Sequence, residues 1–206
     1  MKKIRILLAD DHSVVRMGLA ALFASVPEFT VVGEAEDGEQ AVRKAMDLSP
    51  DVILMDLMMP VKDGVSATRE IHDALPRAHV VILTTFGSSD GIAHALQAGA
   101  DGALMKSADN ESLIDAIRRI ADGEKVIADD IRAIMDNDPP VRKLSRRQLE
   151  IMNSIVRGLT NHDIAVQLGI REDSVKEHVN ALFSKLGAAN RAEAVAIAIR
   201  KQLLKI

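Results

Sequence analysis

The chain has 206 residues, 48% of them hydrophobic, with four Phe and no Trp, Tyr or Cys. Disulfides are excluded, and the apolar material suffices for one or two domains with aliphatic cores in a reducing compartment. The net charge of −4 conceals an asymmetry: residues 1–138 hold 14 Lys and Arg against 24 Asp and Glu, a balance of −10, and residues 139–206 hold 12 against 6, a balance of +6. A basic tail behind an acidic front is expected where the tail alone meets a polyanion; ordinary surface charge is the blander explanation.

The first apolar run, Ile6–Ala9, stops at Asp10-Asp11. It is too short for a signal-peptide core or a membrane span, so a soluble, cytoplasmic chain without membrane contact is expected. Strand-length apolar runs occupy Ile4–Ala9, Thr30–Glu34, Val52–Met55, Val80–Leu83 and Gly102–Met105. Between them run segments of helical spacing, such as Ala41, Val42, Ala45, Met46 and Leu113, Ile114, Ile117, Ile120. Five strand–helix repeats predict an α/β domain, a five-stranded doubly wound parallel sheet with helices on both faces.

Asp136-Asn137-Asp138-Pro139-Pro140 breaks this pattern where the charge changes sign. Residues 124–142 read as a linker with one or two helical turns around Ile131–Met135. From residue 143 strand signals vanish, and helical pieces punctuated by Gly158, Gly169 and Gly187 predict a small all-α domain.

In an open parallel sheet, ligands bind outside the carboxyl ends of the strands. Those ends carry Asp10-Asp11, Asp56, Thr84-Thr85 and Lys106. Alone, a carboxylate after a strand is commonly a turn former. Together, crowded carboxylates call for a cation or a proton. Oxygen donors suit Mg²⁺, and Asp56 beside it is a candidate nucleophile toward phosphorus, with Thr84 and Lys106 neutralising phosphoryl oxygens.

The runs Leu8-Ala9-Asp10-Asp11-His12, Asp56–Gly64, Ile82-Leu83-Thr84 and Gly99–Lys106 resemble, in order, the motifs of the receiver domain of bacterial two-component response regulators, over residues 1–123. The resemblance implies a flavodoxin-like fold and phosphorylation of Asp56 by a sensor histidine kinase. It also implies Mg²⁺ held by Asp11, Asp56 and the Met58 main-chain carbonyl, with Asp10 acting through water. Two positions depart from the family: Ala103 stands where an aromatic switch residue is usual, and Thr85 where Ala or Gly is common.

In the tail, Thr160 is a plausible N-cap for a helix ending at Leu168-Gly169, and a second helix follows from about Asp173. Small Ala165 and Gly169 suit the tight crossing of a helix-turn-helix. Val175, Val179, Leu182, Phe183 and Leu186 form one face of the second helix; Lys176, Glu177, Asn180, Ser184 and Lys185 point outward. Lys176 is a candidate for base or phosphate, Asn180 for adenine and Glu177 for cytosine, with Lys185 a further expected DNA contact; His178 reads as structural. Arg142, Lys143, Arg146, Arg147 and Arg191 are phosphate candidates or simply solvated.

From Leu144 onward this part resembles the LuxR-type DNA-binding domain of the NarL/FixJ regulators, carried by Leu144–Glu150, Gly158–Ala165, Ser174–Val179, Lys185-Leu186-Gly187 and Asn190–Ala194. It departs from that family at Arg147-Gln148, His162 and Arg171. The resemblance extends the DNA-contact set to Thr160, Asn161 and His162, and implies dimerisation through the last helix, Arg191–Gln202. Ala194, Ile197 and Ala198 are the stripe for that role or, equally, core. The domains expected are a receiver over 1–123, a linker over 124–142 and the DNA-binding domain over 143–206. The function expected is that of a phosphorylation-controlled transcriptional regulator and homodimer on promoter half-sites. It is not an enzyme beyond self-phosphorylation and dephosphorylation at Asp56. The alternatives are an atypical receiver controlled by dimerisation without phosphate and a Mg²⁺-dependent phosphohydrolase. The latter fits poorly with Asp-Asp-His after the first strand, where the best-known aspartate-based phosphatases carry Asp-x-Asp.

Overall fold

The computed structural model describes residues 3–85, 89–141, 144–201 and 203, which divide into two compact units, Met1–Asp138 and Pro139–Ile206. Arg142, Lys143 and Gln202 lie outside the described residues.

The first unit alternates β1 (Ile4–Ala9), α1 (Ser13–Ala24), β2 (Phe29–Ala35), α2 (Gly38–Leu48), β3 (Val52–Met55), α3 (Gly64–Ala74), β4 (His79–Thr84), α4 (Ser89–Gln97), β5 (Gly102–Met105), α5 (Asn110–Ala121), β6 (Val126–Ile127) and α6 (Asp129–Asn137). The sheet has the order β2-β1-β3-β4-β5-β6 and all its pairs are parallel. Strand alternation sorts its side chains into two cores. Leu7, Ile53, Met55, Ile82 and Ala103 pack in one; Ile6, Leu8, Leu54, Leu83 and Leu104 pack in the other, with Phe23 of α1 and Ile117 of α5. Winding reverses between β1 and β3, which opens a crevice at their carboxyl ends.

The expected five strands are six, and most of the expected linker is structured. Val126 and Ile127 pair with Gly102 and Ala103, and the Ala128 N–H donates to the Ala103 carbonyl at 3.0 Å. Gly102 permits this approach, since a Cβ there would lie 2.8 Å from the Val126 carbonyl oxygen. In α6, Ile131 is fully buried in the core that holds Ala103, and Ile134 and Met135 pack against it. The apolar positions i, i+3 and i+4 of this short helix therefore cover the sheet rather than span a gap.

The second unit consists of α7 (Arg146–Val156), α8 (Asn161–Leu168), α9 (Glu172–Leu186) and α10 (Arg191–Arg200). Ser145 and Thr160 close capping boxes with Gln148 and Asp163, and Asn190 caps α10 through the Glu193 N–H. At α9 the N-cap is Arg171, which makes no side-chain capping bond. Gly169 (φ 62°) and Gly187 (φ 69°) end α8 and α9 in the left-handed conformation that glycine adopts without strain.

Candidate phosphoacceptor site and nucleic-acid interface

Register builds the acidic corner. Ala9 pairs with Met55, so Asp10 and Asp56 are the next residues out, and the Asp56 N–H donates to the Ala9 carbonyl at 2.8 Å. Thr84 pairs with Met105 and its carbonyl accepts the Lys106 N–H at 2.7 Å, which places Lys106 at the same edge. Ligand atoms of Asp10, Asp11, His12 and Asp56 all lie within 4.8 Å of one another. Lys106 Nζ enters from the far side, 2.6 Å from Asp10 Oδ2 and 3.0 Å from Asp56 Oδ2.

Burial sets the electrostatics. Asp10, Asp56 and Thr84 are almost wholly buried, and Asp11 is a third exposed. Burial raises the Asp56 carboxyl above its ordinary value and the Asp10 charge adds to this; Lys106 and the Met58 N–H, which donates to Asp56, oppose it only partly. Burial works against the Lys106 ammonium, but its bonds to Asp10 and Asp56 outweigh that and raise it. One ammonium faces three carboxylates, so the corner retains negative charge. Clustered hard oxygen donors with that residual charge fit Mg²⁺.

His12 and Arg16 join the site without having been singled out from the sequence. The His12 N–H donates to Asp10 Oδ1 at 2.9 Å, and its Nδ1 lies 2.7 Å from Asp11 Oδ1. Arg16 donates to the Asp10 carbonyl at 2.6 Å while pairing with Glu34 at 3.2 Å. An Arg four residues after His12, one helical turn into α1, is the signal available in the sequence.

The loop leaving Asp56 is tightly specified. Met58 is exposed as a side chain. Val61 sits at φ 64° in a three-residue turn closed by the Lys62 N–H on the Pro60 carbonyl at 2.7 Å, strained backbone for a β-branched residue. The Gly64 N–H donates to the Leu57 carbonyl at 3.0 Å, and a Cβ on Gly64 would stand 2.0 Å from the Asp56 carbonyl oxygen. Because that obstacle is backbone, Gly64→Ala is expected to destabilise the first unit by about 1–3 kcal/mol and to displace Asp56. Denaturant unfolding followed by circular dichroism checks this; an unchanged midpoint would contradict it.

In the second unit, Lys176, Glu177 and Asn180 are exposed on one face of α9, and Val175, Val179, Leu182 and Leu186 are buried on the other. Thr160 is occupied as the α8 cap, Asn161 is half-buried beside it, and His162 is exposed. Two expected DNA contacts are engaged internally: Lys185 Nζ donates to Gln148 Oε1 at 2.9 Å, and Arg191 donates to the Leu159 carbonyl. The proposed dimer stripe is corrected. Ala194, Ile197 and Ala198 are buried in the unit's own core, because α10 turns that face onto the other helices; Ile199 is a large apolar residue of α10 that is exposed. Lys176 is raised above its ordinary value by its hydrogen bond to Asp173 and by the charges of Glu172 and Asp173.

Comparison with known proteins agrees with both halves. Residues 6–118 match the response regulator receiver domain, and residues 142–198 match the bacterial regulatory proteins of the luxR family. The chain is 39% identical over 209 residues to the transcriptional regulatory protein LiaR of Bacillus subtilis (strain 168), covering 98% of this chain and 99% of that protein. It is 36% identical over 207 residues to the response regulator protein VraR of Staphylococcus aureus (strain NCTC 8325 / PS 47), covering 98% and 99%. Among solved structures, the response regulator ChrA of a heme-sensing two-component system superposes with a TM-score of 0.59 at 37% identity, covering 99% of this chain and 100% of that one. No helix among the described residues is long and apolar enough to cross a membrane.

Proposed function

Because this chain belongs to the response regulators that join a receiver domain to a LuxR-type DNA-binding domain, we propose that it is a cytoplasmic regulator switched by phosphorylation of Asp56. The observation that carries this is the pairing of a buried Asp56 with Lys106 at 3.0 Å inside a carboxylate cluster at the sheet's switch point.

A Asp56 carboxylate oxygen attacks phosphorus of a phosphohistidine on a sensor kinase. The phosphorus–nitrogen bond breaks with its electron pair to the imidazole, leaving an acyl phosphate on Asp56. Lys106 holds Asp56 in place and faces the incoming oxygens, and the Thr84 hydroxyl is the second group for them. Asp10, Asp11, Asp56 and the Met58 main-chain carbonyl would hold Mg²⁺, which supplies neutralisation of charge on the phosphoryl group. Self-phosphorylation and dephosphorylation at Asp56 are the only chemistry proposed. Phosphate there alters the receiver surface and favours dimers, which bind paired half-sites of double-stranded DNA through the outward face of α9.

The test is duplex binding with and without a small phosphodonor. Wild type should bind duplexes selected from a random pool more tightly after phosphodonor treatment, and Asp56→Asn should not respond. Binding that is insensitive to salt would contradict the DNA assignment, since phosphate contacts displace counterions.

A further inference from the structure

Lys176, exposed on α9, is not presented bare. Glu172, the first residue of α9, spans the turn: its Oε1 lies 3.5 Å from Lys176 Nζ and its Oε2 lies 3.6 Å from His162 Nδ1 on α8. Asp173 adds a second carboxylate, with Oδ1 3.3 Å from Lys176 Nζ. Glu172 and His162 line an open cleft between α8 and α9 together with Val166 and Arg171. Within a unit whose overall balance is +6, the two carboxylates offset Lys176 on the exposed face of α9.

On the DNA-binding reading of this unit, that arrangement has a consequence for selectivity. A backbone phosphate approaching Lys176 meets two carboxylates already on the ammonium and must displace them or be repelled. A base-edge acceptor in the major groove is neutral and can take one ammonium proton while the carboxylates keep the others. The cluster therefore suppresses the sequence-independent part of binding more than the sequence-dependent part.

We propose that Glu172 is a specificity-determining residue: without touching DNA, it holds Lys176 and His162 away from phosphates and so raises discrimination between operator and random sequence.

The test uses the full chain, a random-sequence duplex and duplexes that the wild type selects from a random pool. Glu172→Gln should bind the random duplex several-fold more tightly at low salt. Its plot of log affinity against log salt should steepen, by at most about one, the release expected for one further phosphate neutralised, since Asp173 remains beside Lys176. Affinity for the selected duplexes should rise less, so their ratio to random duplex falls. Glu39→Gln, exposed on α2 in the other unit, removes the same formal charge and should leave both quantities as in wild type. An unchanged salt slope for Glu172→Gln, or an equal change in Glu39→Gln, would overturn the inference. Wild type that binds no duplex at low salt would overturn the DNA reading itself, and this inference with it.

Discussion

Replacing Lys106 with methionine is expected to destabilise the first unit by about 3–5 kcal/mol in the absence of divalent cation. The ammonium is the counter-charge to two buried carboxylates, Asp10 at 2.6 Å and Asp56 at 3.0 Å, and all three side chains are at most 6% exposed. Methionine fills much of the same volume, so the loss is chiefly that of charge, and two carboxylates then face each other away from water. The cost should shrink as pH falls. A carboxyl whose folded value is raised, as burial already raises Asp56, binds its proton more readily folded than unfolded, so lowering pH favours the fold. Mg²⁺ should restore part of the stability, since a ligand that binds only the folded state stabilises it by mass action. Urea unfolding of wild type and Lys106→Met, at two pH values and with and without Mg²⁺, reads all three effects. Equal stability of the two proteins at neutral pH without the cation would contradict the account.

Ile131→Ala is expected to cost about 2–5 kcal/mol. Ile131 is fully buried in the core with Ile82, Ile92 and Ala103, although it stands beyond the last helix of the strand–helix repeat. Were residues 124–138 a passive tether, the substitution would fall within the small range of surface changes. The same unfolding experiment separates the two: a loss below about 0.5 kcal/mol would return α6 to the role of linker. Asp136→Asn, exposed on the same helix, is the control and should leave stability nearly unchanged.

The acidic corner is legible in the sequence because two independent signals coincide there. Apolar runs mark the strands, and parallel pairing forces their carboxyl ends to one edge, so Asp10, Asp56, Thr84 and Lys106 converge without any knowledge of loop geometry. Their approach distances are not legible, because they depend on how the loop from Asp56 to Gly64 folds back on Asp56 and Leu57.

The segment after α5 misleads for a different reason. Val126-Ile127 is too short to display alternation, and α6 carries four apolar residues among acidic ones, a pattern that fits a solvated turn as well as a packed one. Only the open edge of β5 decides it, and that edge follows from tertiary structure. In α10, Ala194, Ile197 and Ala198 read equally as dimer face or core, because small apolar residues at helical spacing suit either. Lys185 and Arg191 are outward in a helical projection yet bonded inward, since long side chains reach back over the surface.

The most direct test of the switch at Asp56 is chemical. The full chain is incubated with acetyl phosphate and Mg²⁺, and phosphoryl attachment is located by peptide mass spectrometry. One phosphoryl group on the peptide containing Asp56 in wild type, and none on Asp56→Asn, is the predicted result. An unlabelled wild type would favour a receiver that works without phosphate, and label persisting in Asp56→Asn would place the chemistry on another residue; either contradicts the account.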